Sequence, residues 1–205
     1  MKKVLILTTF LAISSLTSLA FGAKIKGVLG QKAPEINDLD WFGPGNKSVK
    51  IPSIKEHKGK VVILKFWQSW CPGCLRKGLP DLKTLQDHFK NNKNVKIYSA
   101  QTVFEGGYTN TKDKLESIRK EYGLTIPMAH DDGSKFKLSR SVLMNRFRTR
   151  GTPWFVIIDT NQKVVFNDFH LDAKKTIEFV EKTLLAGKKE VRAKKTRSNG
   201  PRNIL

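Results

Sequence analysis

Val61-Val62-Ile63-Leu64-Lys65-Phe66-Trp67-Gln68-Ser69-Trp70-Cys71-Pro72-Gly73-Cys74 is the stretch on which the fold turns. Its first seven residues are almost continuously apolar, β-branched or aromatic, which predicts a strand buried on both faces, as in the centre of a sheet. The chain's only two cysteines follow, separated by two residues. Pro72 suits the first position of a helix, where its missing N–H costs nothing. Leu75, Leu79, Leu82, Leu85 and Phe89 keep one face of that helix apolar, and Pro80 is expected to kink it. The cysteines therefore stand at a strand-to-helix turn, where the helix dipole and free N–H groups favour a thiolate. A disulfide between them would close so short a loop that it would remove little chain entropy and make a poor staple. The arrangement points instead to dithiol–disulfide exchange.

Outward from this stretch, residues 95–100 read as a second strand, completing a right-handed βαβ unit. Asn110 or Thr111 caps a further helix with Leu115, Ile118 and Tyr122 on one face and Gly123 at its end. Residues 126–130 read as a short extended piece, Asp131-Asp132-Gly133 as a turn, and residues 138–147 as helical. Residues 154–159 and 163–169 form an antiparallel hairpin around Thr160-Asn161-Gln162. Asp172 caps a last helix that points Ala173, Ile177, Val180 and Leu184 inward and closes at Gly187. Upstream, short pairing segments are expected near 24–29 and 49–51. The predicted fold is α/β: a mixed sheet, βαβ then ββα, with helices on both faces and an insertion between the halves.

At 205 residues the chain suits one domain with tails. Residues 1–23 read as a cleaved export signal. Lys2 and Lys3 precede a mostly apolar run that Thr8, Thr9, Ser14, Ser15, Thr17 and Ser18 dilute, and Ala20, Gly22 and Ala23 offer cleavage points. The run is short for a span that needs about 20 apolar residues. Residues 24–58 form an N-terminal lead-in packed on the domain, 59–186 the domain itself, and 187–205 a basic disordered tail. The formal net charge is +20. The tail is rich in Lys and Arg, with Glu190 as its one acid. An exported chain meets an oxidising compartment, as in the periplasm, and little nucleic acid, so the tail either contacts anionic lipid or an acidic partner or stays solvated with no partner, and is not read as a nucleic-acid binder.

Phe66-Trp67 ahead of Trp70-Cys71-Pro72-Gly73-Cys74, the Gly59-Lys60-Val61-Val62 run, the late Gly151-Thr152-Pro153, and the insertion containing residues 111–122 together resemble the thioredoxin superfamily. Within it, residues 31–186 are similar to the exported TlpA/ResA-type thiol–disulfide oxidoreductases. The resemblance implies that Cys71 is the attacking thiol and Cys74 the resolving one. It implies that Pro153 is a cis proline opposite the pair, and that Thr152 offers its backbone to an extended substrate segment. Trp70, Pro72 and Gly73 would line the substrate surface. The implied partners are cysteine-containing protein substrates and a membrane or periplasmic redox partner, with no cofactor and no metal.

Three features depart from that family's pattern. Lys65 stands where thioredoxins carry a buried Asp and many TlpA-like chains an Asn; it either faces the thiols and favours the thiolate or snorkels to solvent. Lys77, near where ResA-like chains carry a helix Glu, is expected to point to solvent. Pro80 lies nine residues after Cys71, one more than is usual, the excess falling around Lys77-Gly78-Leu79. Glu105, after the second strand, is a candidate proton acceptor.

Two other functions fit these residues less well. A thiol peroxidase on this fold asks for Thr or Ser three residues before the reactive cysteine, and Gln68 stands there. A copper-handling module would space its cysteines by three and add a distal His, for which only His130 and His170 offer themselves. Leu75 after Cys74 excludes a haem-attachment site, and two cysteines leave a zinc tetrahedron half empty.

Overall fold

The computed structural model describes residues 27–186. The predicted export signal, residues 24–26 of the lead-in, the closing Gly187 and the basic tail lie outside the described residues. Seven strands among them, β1 (Trp41–Phe42), β2 (Ser48–Val49), β3 (Val61–Trp67), β4 (Val95–Thr102), β5 (Met128–Asp131), β6 (Trp154–Ile158) and β7 (Val164–Asp168), form one sheet in the order β2-β1-β5-β4-β3-β6-β7. β3, β4 and β5 run parallel; β6 pairs antiparallel with both β3 and β7, and β1 with both β5 and β2. The helices are α1 (Leu79–Phe89), α2 (Lys112–Glu121), α3 (Val142–Phe147) and α4 (Ala173–Phe179), the last continued by a wider turn through Val180–Leu185. This is the thioredoxin-like mixed sheet expected from the sequence.

Every residue of β3 is buried. The period of two along a strand divides its side chains between two cores. Val61, Ile63 and Trp67 pack with Leu79, Leu82, Leu85 and Phe89 of α1, Leu115 and Ile118 of α2, and Val180 after α4. Val62, Leu64 and Phe66 pack on the other face with Leu143 and Phe147 of α3 and with Ile36, Trp41 and Ile54 of the lead-in.

The lead-in pairs in part where local pattern suggests, since β2 at Ser48–Val49 overlaps the segment expected near 49–51, but its first pairing segment lies elsewhere. Residues 27–30 form a turn, and the pairing segment is Trp41–Phe42, set between β5 and β2. One local and one long-range tie hold it: Trp41 Nε1 donates to Ile36 O at 2.8 Å, and Arg119 Nη2 of α2 donates to Phe42 O at 2.8 Å. A two-residue strand has no periodicity to detect.

The helix after the cysteines also differs from expectation. It is not a regular helix kinked at Pro80. Cys74–Gly78 is a π-helical turn, and Pro80 lies in the first turn of α1. The surplus residue is taken up by widening this turn, as single-residue insertions into helices commonly are.

Asp131 is the last residue of β5 rather than part of a turn, and it is fully buried. Its carboxylate accepts from Ser141 Oγ at 2.6 Å, Val142 N at 2.9 Å and Leu143 N at 2.8 Å. Helix α3 therefore starts at Val142 and not at 138, because Asp131 and the Ser141 cap fix its first turn. Thr111, not Asn110, caps α2, and Asp172 caps α4.

Helix α3 leads into the 148–153 segment opposite the cysteines, so its anchor matters to the site. Asp131→Ala, which orphans three buried donors, is expected to lower stability by about 2–4 kcal/mol. Asp131→Asn, which keeps an acceptor oxygen, should cost less. Urea unfolding of both variants checks the order; equal stabilities would contradict it.

Candidate functional site

The end of β3 delivers Gln68-Ser69-Trp70-Cys71 to the sheet's edge, and the helical residues that follow draw Cys74 inward. Cys71 is 8% exposed and Cys74 fully buried. Cys74 N donates to Cys71 Sγ at 3.4 Å, and the Cys71 thiol donates to Thr152 O at 3.6 Å. The Thr152–Pro153 bond is cis. Gly73 faces the Pro153 ring closely enough that a Cβ there would stand 3.3 Å from Pro153 Cδ.

Two buried polar side chains tie the surrounding loops to this turn. Gln68 donates from Nε2 to Glu105 O at 3.2 Å and accepts at Oε1 from Thr152 Oγ1 at 3.4 Å, linking the loop after β4 to the cis-proline loop. Asn110 accepts from Ser69 N at 2.9 Å and donates to Thr102 O at 2.9 Å, fixing the far end of the same loop. On the outside, Trp70 is 41% exposed and its indole lies against Gly106. Gly106 has φ +60, and a Cβ there would come within 2.7 Å of Trp70 Nε1, so both conformation and space require glycine. Phe104 and Tyr108 on this loop are also exposed. Pro72 is exposed beside Cys71.

Glu105 is exposed and reaches the site through its backbone carbonyl. Lys77 points outward and pairs with Asp81 at 2.8 Å. His130 bonds Gln101 Oε1 through Nδ1 at 2.8 Å, and His170 stacks beside Phe169. No group of three His, Cys, Asp or Glu among the described residues is placed to hold a metal ion.

Lys65 does not snorkel. It is fully buried at the middle of β3, on the face shared by Ile63 and Trp67. Its Nζ lies 3.9 Å from the centre of the Phe155 ring and has no hydrogen-bond partner. Gly78, the last residue of the wide turn, roofs it: a Cβ there would strike Lys65 Nζ and approach Cε to 2.9 Å. Burial pushes the Lys65 ammonium down to about 7, against the charge of Cys74 and then of Cys71. Burial likewise pushes the Cys74 thiol well above the usual range, with the charge of Lys65 the largest influence against it.

Sequence reading named the cysteines, Trp70, Gly73, Thr152, Pro153 and Lys65. It missed Gln68 and Asn110 as ties, and Gly78 and Phe155 as the walls around Lys65. Only Gln68-Ser69, two polar residues directly after a buried strand, carried any local signal.

The family model described as Redoxin matches residues 29–182. The thiol-disulfide oxidoreductase ResA of Bacillus cereus is 29% identical over 145 residues, covering 71% of this chain and 72% of that protein. Among solved structures, a thioredoxin-like superfamily protein matches with a TM-score of 0.64 at 26% identity, covering 75% of this chain and 96% of its own. A thiol-disulfide isomerase from Corynebacterium glutamicum matches with a TM-score of 0.61 at 25% identity, with the same coverage of both chains.

A buried ammonium without a hydrogen-bonding partner weakens a fold. Lys65→Met should therefore stabilise the protein, by about 1–4 kcal/mol, as replacing buried ionic groups with apolar ones of similar volume often does. The sign follows from the depressed value: between about 7 and the ordinary lysine value of 10.5 the unfolded chain holds a proton that the folded chain has released. The Lys65 contribution to stability thus rises with pH through this window, and the advantage of Met is greatest below it and fades towards its upper end. Urea unfolding at pH values inside and on either side of that window reads this; a gain that ignores pH would contradict it.

Proposed function

The chain belongs to the Redoxin family, as a thioredoxin-superfamily member of the TlpA/ResA type, and on that premise we propose that it is an exported thiol–disulfide oxidoreductase that exchanges disulfides with protein substrates through Cys71 and Cys74. The observation that carries this reading is the placement of the two thiols. The Cys71 Sγ lies just beneath the surface, its residue 8% exposed, 3.6 Å from Thr152 O, with Cys74 fully buried behind it.

In the reducing direction, the Cys71 thiolate attacks one sulfur of a substrate disulfide. The substrate S–S bond breaks, its electron pair leaves with the second sulfur, and a mixed disulfide forms on Cys71. Cys74 Sγ then attacks Cys71 Sγ, closing the Cys71–Cys74 disulfide and releasing the other substrate sulfur as a thiolate. The substrate gains two electrons and the chain loses them; the reverse sequence oxidises a substrate dithiol.

A polypeptide substrate is favoured by the surroundings. Thr152 lies beside the attacking sulfur, where an extended segment could align with its backbone in the manner of an added strand. Trp70, Phe104 and Tyr108 offer exposed aromatic surface next to it. Export rests on residues 1–23, and the basic residues of 187–205 suit anionic lipid near a membrane or periplasmic redox partner. A peroxidase or copper-handling role gains no such support. Gln68 is engaged by two loops, and His130 is engaged by Gln101.

With a disulfide-bonded polypeptide such as insulin as substrate, Cys71→Ser is expected to reduce exchange to background. Cys74→Ser should still attack but stall, leaving a mixed disulfide on Cys71 that non-reducing gels and mass spectrometry detect. Exchange by the double serine variant, or no trapped adduct with Cys74→Ser, would refute the assignment.

A further inference from the structure

The exchange steps above leave one buried group unused. Lys65 Nζ is a fully buried amine with no hydrogen-bond partner, lodged in the layer that holds Cys74. As pure packing it is a poor choice, since a Met or Leu would fill the same space without desolvating an amine. Room has nevertheless been made for it. The helix widens by one residue across Cys74–Gly78, and the residue above the amine is the one type with no Cβ to strike it. The π-helical turn thus runs from the resolving thiol at one end to the roof of the amine at the other. The face of Phe155 supplies partial compensation as a cation–π partner.

Resting on the exchange reading, we propose that Lys65 is a positioning residue for the resolving step, its amine taking up the positive charge as Cys74 Sγ gives up its proton, so that the buried thiolate forms beside an ammonium. Cys74–SH and Lys65–NH2 become Cys74–S⁻ and Lys65–NH3⁺, with no net charge added to the dry layer. The thiolate then attacks Cys71 Sγ, the Cys71–substrate bond breaks, and the electron pair leaves with the substrate sulfur. Once the Cys71–Cys74 disulfide has closed, the ammonium has lost its counter-charge and releases the proton to solvent or to the departing substrate thiolate. Run in reverse, Lys65 stabilises Cys74 as the leaving thiolate when the disulfide is opened.

The groups around the amine agree with this role. From the active-site turn, Cys74 and Cys71 favour its charged form; from α1, Asp81 also favours it and Lys77 opposes it. Its register partners, Ser99 on β4 and Phe155 on β6, carry no charge. Burial holds the amine near neutrality, to about 7, so it can both accept and release a proton at physiological pH.

The test isolates the resolving step. Cys71 is loaded with 2-nitro-5-thiobenzoate from Ellman's reagent, and its release by Cys74 is followed by stopped flow across pH. The unmodified protein should show a release rate that rises through neutral pH. In Lys65→Met the rate at neutral pH should fall by about tenfold or more, the factor carried by one unit of thiol pKa, and the rise should move to higher pH. Loading of Cys71, measured in the Cys74→Ser background with and without Lys65→Met, should slow less than release does. An unchanged release profile would overturn the proposal. A second measurement needs no variant. The ¹³Cε signal of Lys65 in the unmodified protein should titrate at lower pH in the disulfide form than in the dithiol form, because the disulfide removes the thiolate charge. The same titration in both forms would also overturn the proposal. Failure of the unmodified protein to load Cys71 at all would instead refute the exchange reading on which it rests.

Discussion

A strand buried on both faces can leave none of its side chains in water, and β3 carries a lysine at its midpoint. Most of what is particular to this molecule follows from that constraint. The amine cannot reach solvent past α1, so the protein accommodates it with a face of Phe155, a glycine above it, and a helical turn opened by one residue. The same dry layer contains Cys74. Two groups whose charged forms are each disfavoured by burial therefore share one low-dielectric compartment. Their charges are opposite, so each makes the other's ionisation less costly.

The polar residues around the cysteines follow a related logic. Gln68 and Ser69 sit where the strand ends but burial does not, so their hydrogen-bonding groups must find partners within the protein. They find them in the loop after β4 and in Thr152. The attacking sulfur is thereby framed by two segments distant in sequence, each held by side-chain bonds to the two residues that precede Trp70. The loop tied in this way carries Gly106 against Trp70 and presents the exposed Phe104 and Tyr108 on either side of that glycine in sequence.

The lysine also shows how stability and chemistry trade against each other here. An apolar side chain at position 65 would make a better core, just as an alanine at position 78 would suit a helix better than glycine does. Both positions depart from what packing and propensity favour; Gly78 closes the turn that Cys74 opens, and Lys65 lies directly beneath it. Such local violations concentrate where a protein works, which gives Lys65 and Gly78 a meaning that neither carries alone.

The sequence by itself determined the central strand, the strand-to-helix turn with its two thiols, the apolar face of α1, the Asp172 cap and the closing hairpin. Each of these rests on near neighbours: a run of apolar residues, a spacing of three or four, a capping side chain. Tertiary structure alone decided the rest. The pairing of Trp41–Phe42, the late start of α3 under Asp131, the bridges from Gln68 to Glu105 and from Asn110 to Ser69, and the burial of Lys65 all depend on groups ten or more residues apart. For Lys65 in particular, a snorkelling and an inward-facing side chain give the same local pattern. The outcome is set by what stands above it, and that is a glycine in a turn whose width is fixed only when the helix docks on the sheet.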